Sequence, residues 1–414
     1  MVVVGAGIAG LAAAWSARRA GRQVTIVSRG AGASALGGGA VDDVPWEQLA
    51  RAARVLGGGA GRAALPLSVG AAAFVAELEL WDVPAVERAW IATVAGRLRP
   101  ARGRDRALLD LGRLEGALVL LPRAGRAGWD ADAIAASLAA EPFAGAGRLA
   151  FQAVDLPVLR FDDEHRIGDA DLAGRHDDEA RLGWLAGRLR HGIAASGAGV
   201  GAVLLGPWLG ASAPRAEALS AAVGVPCGEA LVGAGSPAGL RFEAALDRLL
   251  DTVGARRVRD RAIRIDDEGT RDAMLRVSLA GSAAPLLADV VVLALGGLIA
   301  GGIVYSPPER RAGTELPPAG TAPFELSLDA PVALSANGAD RMSVVASMHG
   351  PELDVSAWPV ADRPGALEAV GVLCSGVSAG AGIYAAGDVI AGRPRTALEA
   401  VASGLAAGDA TVTR

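Results

Sequence analysis

The stretch MVVVGAGIAGLAAAWSARRAGRQVTIVSRG, residues 1–30, decides the fold. Val2, Val3 and Val4 are β-branched and apolar, the composition of a strand buried on both faces. Gly5, Gly7 and Gly10 follow in G-x-G-x-x-G spacing. The first permits a tight turn, the second lets a pyrophosphate approach the backbone, and the third lets the next helix pack closely on the strand. That helix is expected from about Ile8 to Ala20, closed by Gly21 as a C′ residue. Its free N–H groups, those of Ile8 and Ala9 among them, and its positive dipole end face the phosphates. A second strand, QVTIVS, places Val24, Ile26 and Val27 in the core. In a chain with 57 glycines a lone glycine motif is a weak signal. Here strand, turn, helix and strand fall in register, and that context points to dinucleotide binding.

The rest of the chain bounds the function. Its 414 residues exceed one typical core, so two domains or one domain with an insertion are expected. A net charge of −5 with scattered arginines gives no polyanion-binding signature, so no nucleic-acid partner is expected. All 40 basic residues are arginine, which with the abundant Ala and Gly reads as coding bias. Cys227 and Cys374 are too few and too far apart to hold an iron–sulfur or zinc cluster, and no His/Cys spacing suits a metal. With no charged n-region and apolar core before the first strand, no signal peptide is expected, and the most apolar run, residues 290–304, reads as too short and glycine-interrupted for a membrane span. A cytoplasmic protein is expected, with a few residues missing before the clipped first strand.

Helices are expected over 46–56, 68–80, 130–143 (begun by Asp130) and 235–254, the last with Leu240, Ala244, Leu246, Leu249 and Leu250 on one side and Gly254 as its stop. GALVLLP (116–122) and GVGAVLLGPWLG (199–210) read as buried strands. Alternating pieces after 254 read as a meander. Asp162, Asp163 and Glu164 read as an acidic surface cluster, and His165, His176 and His191 as solvated.

The C-terminus separates flavin from nicotinamide. GIYAAGD is a short strand followed by Gly387-Asp388, and an alanine-rich helix runs from about Thr396 to Ala410. Gly387 lets backbone approach a ligand, and Asp388 can accept hydrogen bonds from a polyol such as the ribityl chain of a flavin. The start of the last helix can stabilise electron-rich reduced flavin.

These residues resemble the two-dinucleotide-binding-domain flavoprotein superfamily, which places G-x-G-x-x-G first and A-x-G-D last. The middle ADVVVLALGG is similar to its third signature, here Ala294, Leu295 and Gly296. The resemblance implies an α/β fold, a Rossmann-like FAD/NAD(P)-binding domain with a parallel sheet and β-meander in three layers. The expected cofactor domain spans 1–114, 226–305 and 366–414, and the inserted domain 115–225 with 306–365. Fragments VTIVSRGAGASALGGGAVDDV, LPRAGRAGWDADAIAASL, VLLGPWLG, PAGLRFEAALDRLL and ALGGLIAGGIV resemble the second subunit of anaerobic glycerol-3-phosphate dehydrogenase. That resemblance implies a small-molecule substrate, electrons passing toward quinone, and two partners: a catalytic flavoprotein subunit and an iron–sulfur subunit. It also implies contact with the inner face of the cell membrane through those partners. The chain departs from that family at RPRTALEAVASG and over 306–365. Two readings stand beside it, a self-sufficient FAD-dependent dehydrogenase or oxidase and a non-catalytic flavin-binding scaffold.

Ser28 stands where an acid normally binds the adenosine ribose. It keeps hydrogen bonding but lacks the charge, and the neighbouring Arg29 suits a phosphate. The expected cofactor is FAD, with FMN as alternative. Arg393, Arg395 and His349 are the candidates for chemistry, the arginines for a substrate phosphate and the histidine as acid–base.

Overall fold

In the computed structural model the described residues are 1–30, 32–45, 48–49, 66–85, 87–142, 148–197, 199–267, 274–306, 324–328, 343–345, 347–350, 371–380 and 382–412. Named in chain order, the elements that carry the fold begin with β1 (Val2–Val4), α1 (Ile8–Arg19), β2 (Thr25–Val27), α2 (Val69–Leu78) and β3 (Ala117–Pro122). Next come α3 (Ala131–Ala139), β4 (Leu149–Val154), α4 (Glu179–Ser196), β5 (Val200–Leu205), α5 (Ala216–Val223) and β6 (Cys227–Glu229). The last are α6 (Pro237–Val253), β7 (Arg256–Val258), β8 (Val291–Leu293), β9 (Ile383–Ala385) and α7 (Ala397–Ala410). The chain folds as two units. The first holds Met1–Ser34, Asp43–Pro45 and Arg248–Arg414, the second Ala35–Asp42 and Trp46–Asp247.

The first unit is built on a sheet in the order β7-β2-β1-β8-β9, all parallel, with Ser378–Gly380 added antiparallel at the edge. Val2, Val3 and Val4 pair with Val291, Val292 and Leu293 on one side and with Thr25, Ile26 and Val27 on the other. All three valines are buried, as a central parallel strand requires. The chain leaves β1 through α1 toward β2 and returns on the other side at β8, so the strand order reverses between β1 and β8. A three-stranded antiparallel meander, Ala262–Asp267, Leu275–Leu279 and Leu286–Ala288, shares the unit's core.

The second unit has its own parallel sheet, in the order β6-β5-β3-β4. Its core is separate, built by Val119, Leu121, Leu138, Leu185, Val203 and Leu205 among others. Asp130 caps α3 as expected, its Oδ1 accepting from Ala133 N at 3.0 Å. The division differs from the expected one: residues 46–114 and 226–247 belong with the second unit. The reason is hydrogen bonding remote in sequence, Leu109 N to Glu229 O at 3.0 Å and Glu229 N to Ala107 O at 2.7 Å. Most of the expected helix 46–56, and most of 306–365, lie outside the described residues.

Expectations for two polar residues and for one helix face are corrected. Glu164 is buried, accepting from Arg181 Nη2 at 2.9 Å, Arg175 Nη1 at 3.1 Å and Arg160 N at 2.6 Å. Burial opposes its charge, but these donors and the Arg181 guanidinium outweigh burial and hold its pKa low. His176 is buried with Nδ1 2.8 Å from the Trp208 carbonyl, so Nδ1 carries the proton and donates. On α6 the buried face carries Arg241 and Phe242, while Leu240 is 41% exposed. Arg241 Nε meets Asp105 Oδ2 at 2.9 Å and Nη2 meets Glu229 Oε2 at 2.7 Å. Burial works against the Arg241 charge, yet the two carboxylates outweigh it and raise its pKa.

Candidate functional site

The glycines of the first turn have separate steric jobs. Gly5 has φ +113°, and a Cβ there would lie 2.0 Å from the Ala294 carbonyl oxygen. Only glycine fits, because β1 and β8 end side by side, Ala294 N donating to Val4 O at 2.8 Å. A Cβ at Gly10 would lie 2.0 Å from Gly5 O, so the third glycine sets how closely α1 packs on the turn. Gly7 is the N-cap of α1, with no side-chain cap and no acid in the first turn. The N–H groups of Ile8 and Ala9 therefore start the helix without a carboxylate competing for them. Gly32, outside the G-x-G-x-x-G motif, approaches Gly7 so closely that a Cβ on it would come within 2.7 Å of Gly7 Cα.

The C-terminal corner comes to the same place. Gly387 has φ +77°, and a Cβ on it would lie 2.7 Å from Ala9 Cβ. Gly387 N donates to Ser403 Oγ at 2.9 Å, and Ser403 in turn donates to Glu399 O at 2.7 Å. Thus α7 holds the corner, and α7 itself lies on α1: Cβ atoms at Gly404 and Gly408 would come within 2.4 Å of Ala9 O and 2.6 Å of Ala13 O. The middle motif joins them. Gly296 makes its turn at φ +75°, and a Cβ at Gly297 would sit 2.9 Å from Asp388 Cβ and 3.4 Å from Arg395 Cδ. Gly297, one residue beyond the position read from sequence, is the contact.

Asp388 is half-buried, and burial raises its pKa against the opposing pull of Arg395. A carboxylate placed there accepts hydroxyl donors strongly, being partly stripped of water. Ser28 follows β2; its hydroxyl donates to the Gly30 carbonyl at 3.0 Å, leaving its lone pairs to accept. Arg29 beside it is exposed. Arg393 spans from Glu399 Oε1 at 2.8 Å to the Gly376 carbonyl at 2.7 Å, both bonds within the protein. His349 lies on the strand Ser347–Gly350 opposite Glu325, and its side chain lies outside the described residues. Among the described residues no cluster of His, Cys, Asp and Glu could hold a metal.

A crevice at the carboxyl ends of parallel strands, where the strand order reverses, is where α/β sheets take ligands. Here Gly5 and Ala294 flank it, and Gly387 closes on Ala9. The first unit has a Rossmann-like fold. Residues 3–54 match the family model described as an NAD(P)-binding Rossmann-like domain. No curated protein matches the chain. Similar solved structures include 3-ketosteroid delta1-dehydrogenase from Sterolibacterium denitrificans, at 14% identity and a TM-score of 0.25, over 72% of this chain and 47% of that one. Iminodiacetate oxidase from Chelativorans sp. BNC1 is similar at 16% identity and a TM-score of 0.29, over 99% of this chain and 93% of that one. CtdE in complex with FAD is similar at 11% identity and a TM-score of 0.33, over 100% of this chain and 84% of that one. Among the described residues no helix is long and apolar enough to cross a membrane.

Proposed function

We propose that the chain is a flavin-dependent oxidoreductase whose cofactor is FAD. The observation that carries this reading is the seat of Gly387 on Ala9, which brings the phosphate cradle and the Asp388 carboxylate to one crevice. The residues present suit such a molecule. Backbone N–H groups of Ile8 and Ala9 would receive the pyrophosphate, and Asp388 would accept from the ribityl hydroxyls. The fit favours FAD over FMN because the opening turn is shaped for a pyrophosphate. Bound there, the flavin would supply two-electron hydride or electron transfer.

Within that reading, the resemblance of fragments from residue 24 to residue 304 supports a role like that of the second subunit of anaerobic glycerol-3-phosphate dehydrogenase. Such a protein would work beside a catalytic flavoprotein and an iron–sulfur subunit, peripheral to the cell membrane through them. Arg395, beside Asp388 and Gly297, would be the arginine to act on a ligand in the crevice. The engagement of Arg393 with Glu399 and Gly376 favours a second reading, a subunit that binds flavin without turning over substrate alone. Mass spectrometry of cofactor released from the purified protein should return FAD. Dye reduction by glycerol 3-phosphate then separates the readings: activity only with partner subunits supports the subunit role, and activity of the lone chain supports a self-sufficient dehydrogenase. Release of a nicotinamide dinucleotide, or a protein that binds no flavin, would sink the proposal.

A further inference from the structure

A cavity of about 780 Å³ opens within the second unit, between the segment around 104–114 and helix α5 with the turn after it. One wall carries Arg104, Arg106 and Arg113, with Asp82 and Asp110 among them. The two carboxylates are taken. Arg104 Nη2 lies 3.0 Å from Asp82, and Arg113 reaches Asp82 at 2.8 Å and Asp110 at 3.2 Å. Arg106 is left over. Its backbone is pinned, N donating to Leu80 O at 2.9 Å and its carbonyl accepting from Arg104 Nη1 at 3.4 Å. The residue is half-buried, and no hydrogen bond or ion pair reaches its guanidinium among the described residues.

On this wall three cations face two carboxylates; with Glu217 from α5 the lining as a whole is neutral, and Arg106 is its unpaired cation among the described residues. A half-buried guanidinium in that setting gains more from an oxyanion than from the water it keeps. The rest of the lining decides what carries the oxyanion. Leu108, Leu109, Leu114, Ala221 and Val225 are apolar. Glu217, exposed and unpaired at the start of α5 among the described residues, stands in the lining as well and works against a dianion. Cys227 in the same lining adds no covalent chemistry, since burial pushes its thiol up to about 12.

We infer that this cavity of the second unit binds a monocarboxylate with an apolar body, its carboxylate on Arg106. The unpaired Arg106 guanidinium matches one carboxylate, and the leucines match a hydrocarbon or aromatic remainder. The purified full chain, with its cofactor, should be titrated calorimetrically with octanoate, octyl phosphate and octanol. Octanoate should bind at least roughly tenfold more tightly than either of the others, the size of one charge-assisted hydrogen bond. Arg106→Gln should lose about tenfold for octanoate while its melting temperature without ligand stays put, because the Arg106 guanidinium has no partner to lose among the described residues. Ala221→Trp, which narrows the cavity from the helix side, should abolish binding with Arg106 intact. Octanol binding as well as octanoate, octyl phosphate winning, or Arg106→Gln and Ala221→Trp binding octanoate unchanged would each overturn the inference.

Discussion

Asp388 answers two opposed demands. Burial makes its charge costly in flavin-free protein, and the same burial makes the charge a strong acceptor once hydroxyl groups arrive. Its folded pKa is raised, so the carboxylate favours folding only at pH low enough to protonate it, and that gain is lost as pH rises through the folded value. Asp388→Asn should therefore raise the melting temperature of flavin-free protein at neutral pH while weakening FAD binding by roughly tenfold to a hundredfold. Fluorescence titration of FAD and a thermal melt check both; a variant that binds FAD as the parent does removes Asp388 from the site. His176 gives the opposite pH signature in the second unit. Burial, aided by repulsion from Arg181, lowers its pKa from 6.5 to about 4. The unfolded chain then binds the proton first, so stability is complete above the ordinary value of 6.5 and declines as pH falls toward 4. The whole decline is about 3 kcal/mol. His176→Asn, which keeps the donor to Trp208 O, should flatten denaturant stability across that pH range, and an unchanged slope would assign it to other groups.

Helix α7 does for the corner what β1 does for the cradle. It lies on α1 through Gly404 and Gly408, and Ser403 takes the Gly387 N–H. A Cβ at Gly404 would press on the Ala9 carbonyl at 2.4 Å, so neither backbone can yield cheaply. Gly404→Ala should cost about 1–3 kcal/mol and loosen FAD binding, because the shift passes through Ala9 to the cradle. Equilibrium unfolding and cofactor retention on gel filtration would show it; stability within error of the parent refutes the close packing. Ser403→Ala should cost about 1–2 kcal/mol by orphaning a buried N–H. Elements of this kind were legible in sequence where their cause is local. The Asp130 cap and the stop of α6 at Gly254 (φ +66°) each depend on neighbours a few residues away, and Gly5 was legible through its local spacing although the contact that demands glycine comes from Ala294. Buried charges were not. Arg241 meets Asp105 across 136 residues of chain, and nothing within α6 distinguishes it from a solvated arginine. Glu164 and His176 were hidden for the same reason, sitting in a charged run whose partners lie on other turns. Gly32, Gly297 and Ser403 escaped too, since a close contact with a segment remote in sequence leaves no mark on either segment alone.

At the scale of the whole chain, two parallel sheets each reverse their strand order, but only one follows its first strand with an uncapped, acid-free helix start. In the second unit Asp130 caps α3 and Asp132 lies in its first turn. Those carboxylates fill and neutralise the helix N-terminus, the place where the first unit leaves backbone N–H groups for phosphate. The proposed dinucleotide site therefore belongs to the first unit, although both sheets reverse their strand order. Each unit also buries its own core, β1, β8 and β9 with the meander in one, β3 to β6 with their helices in the other. A ligand that binds only one folded unit stabilises that unit by mass action, about 2.7 kcal/mol at a hundred times its Kd. Calorimetry of the full chain should accordingly resolve two transitions, with added FAD raising one and leaving the other in place. Asp388→Asn should shrink that shift, and Arg106→Gln should leave it alone. Two transitions rising together under FAD would show that the second unit depends on the first for its stability, and that the phosphate cradle governs more of the molecule than its own sheet.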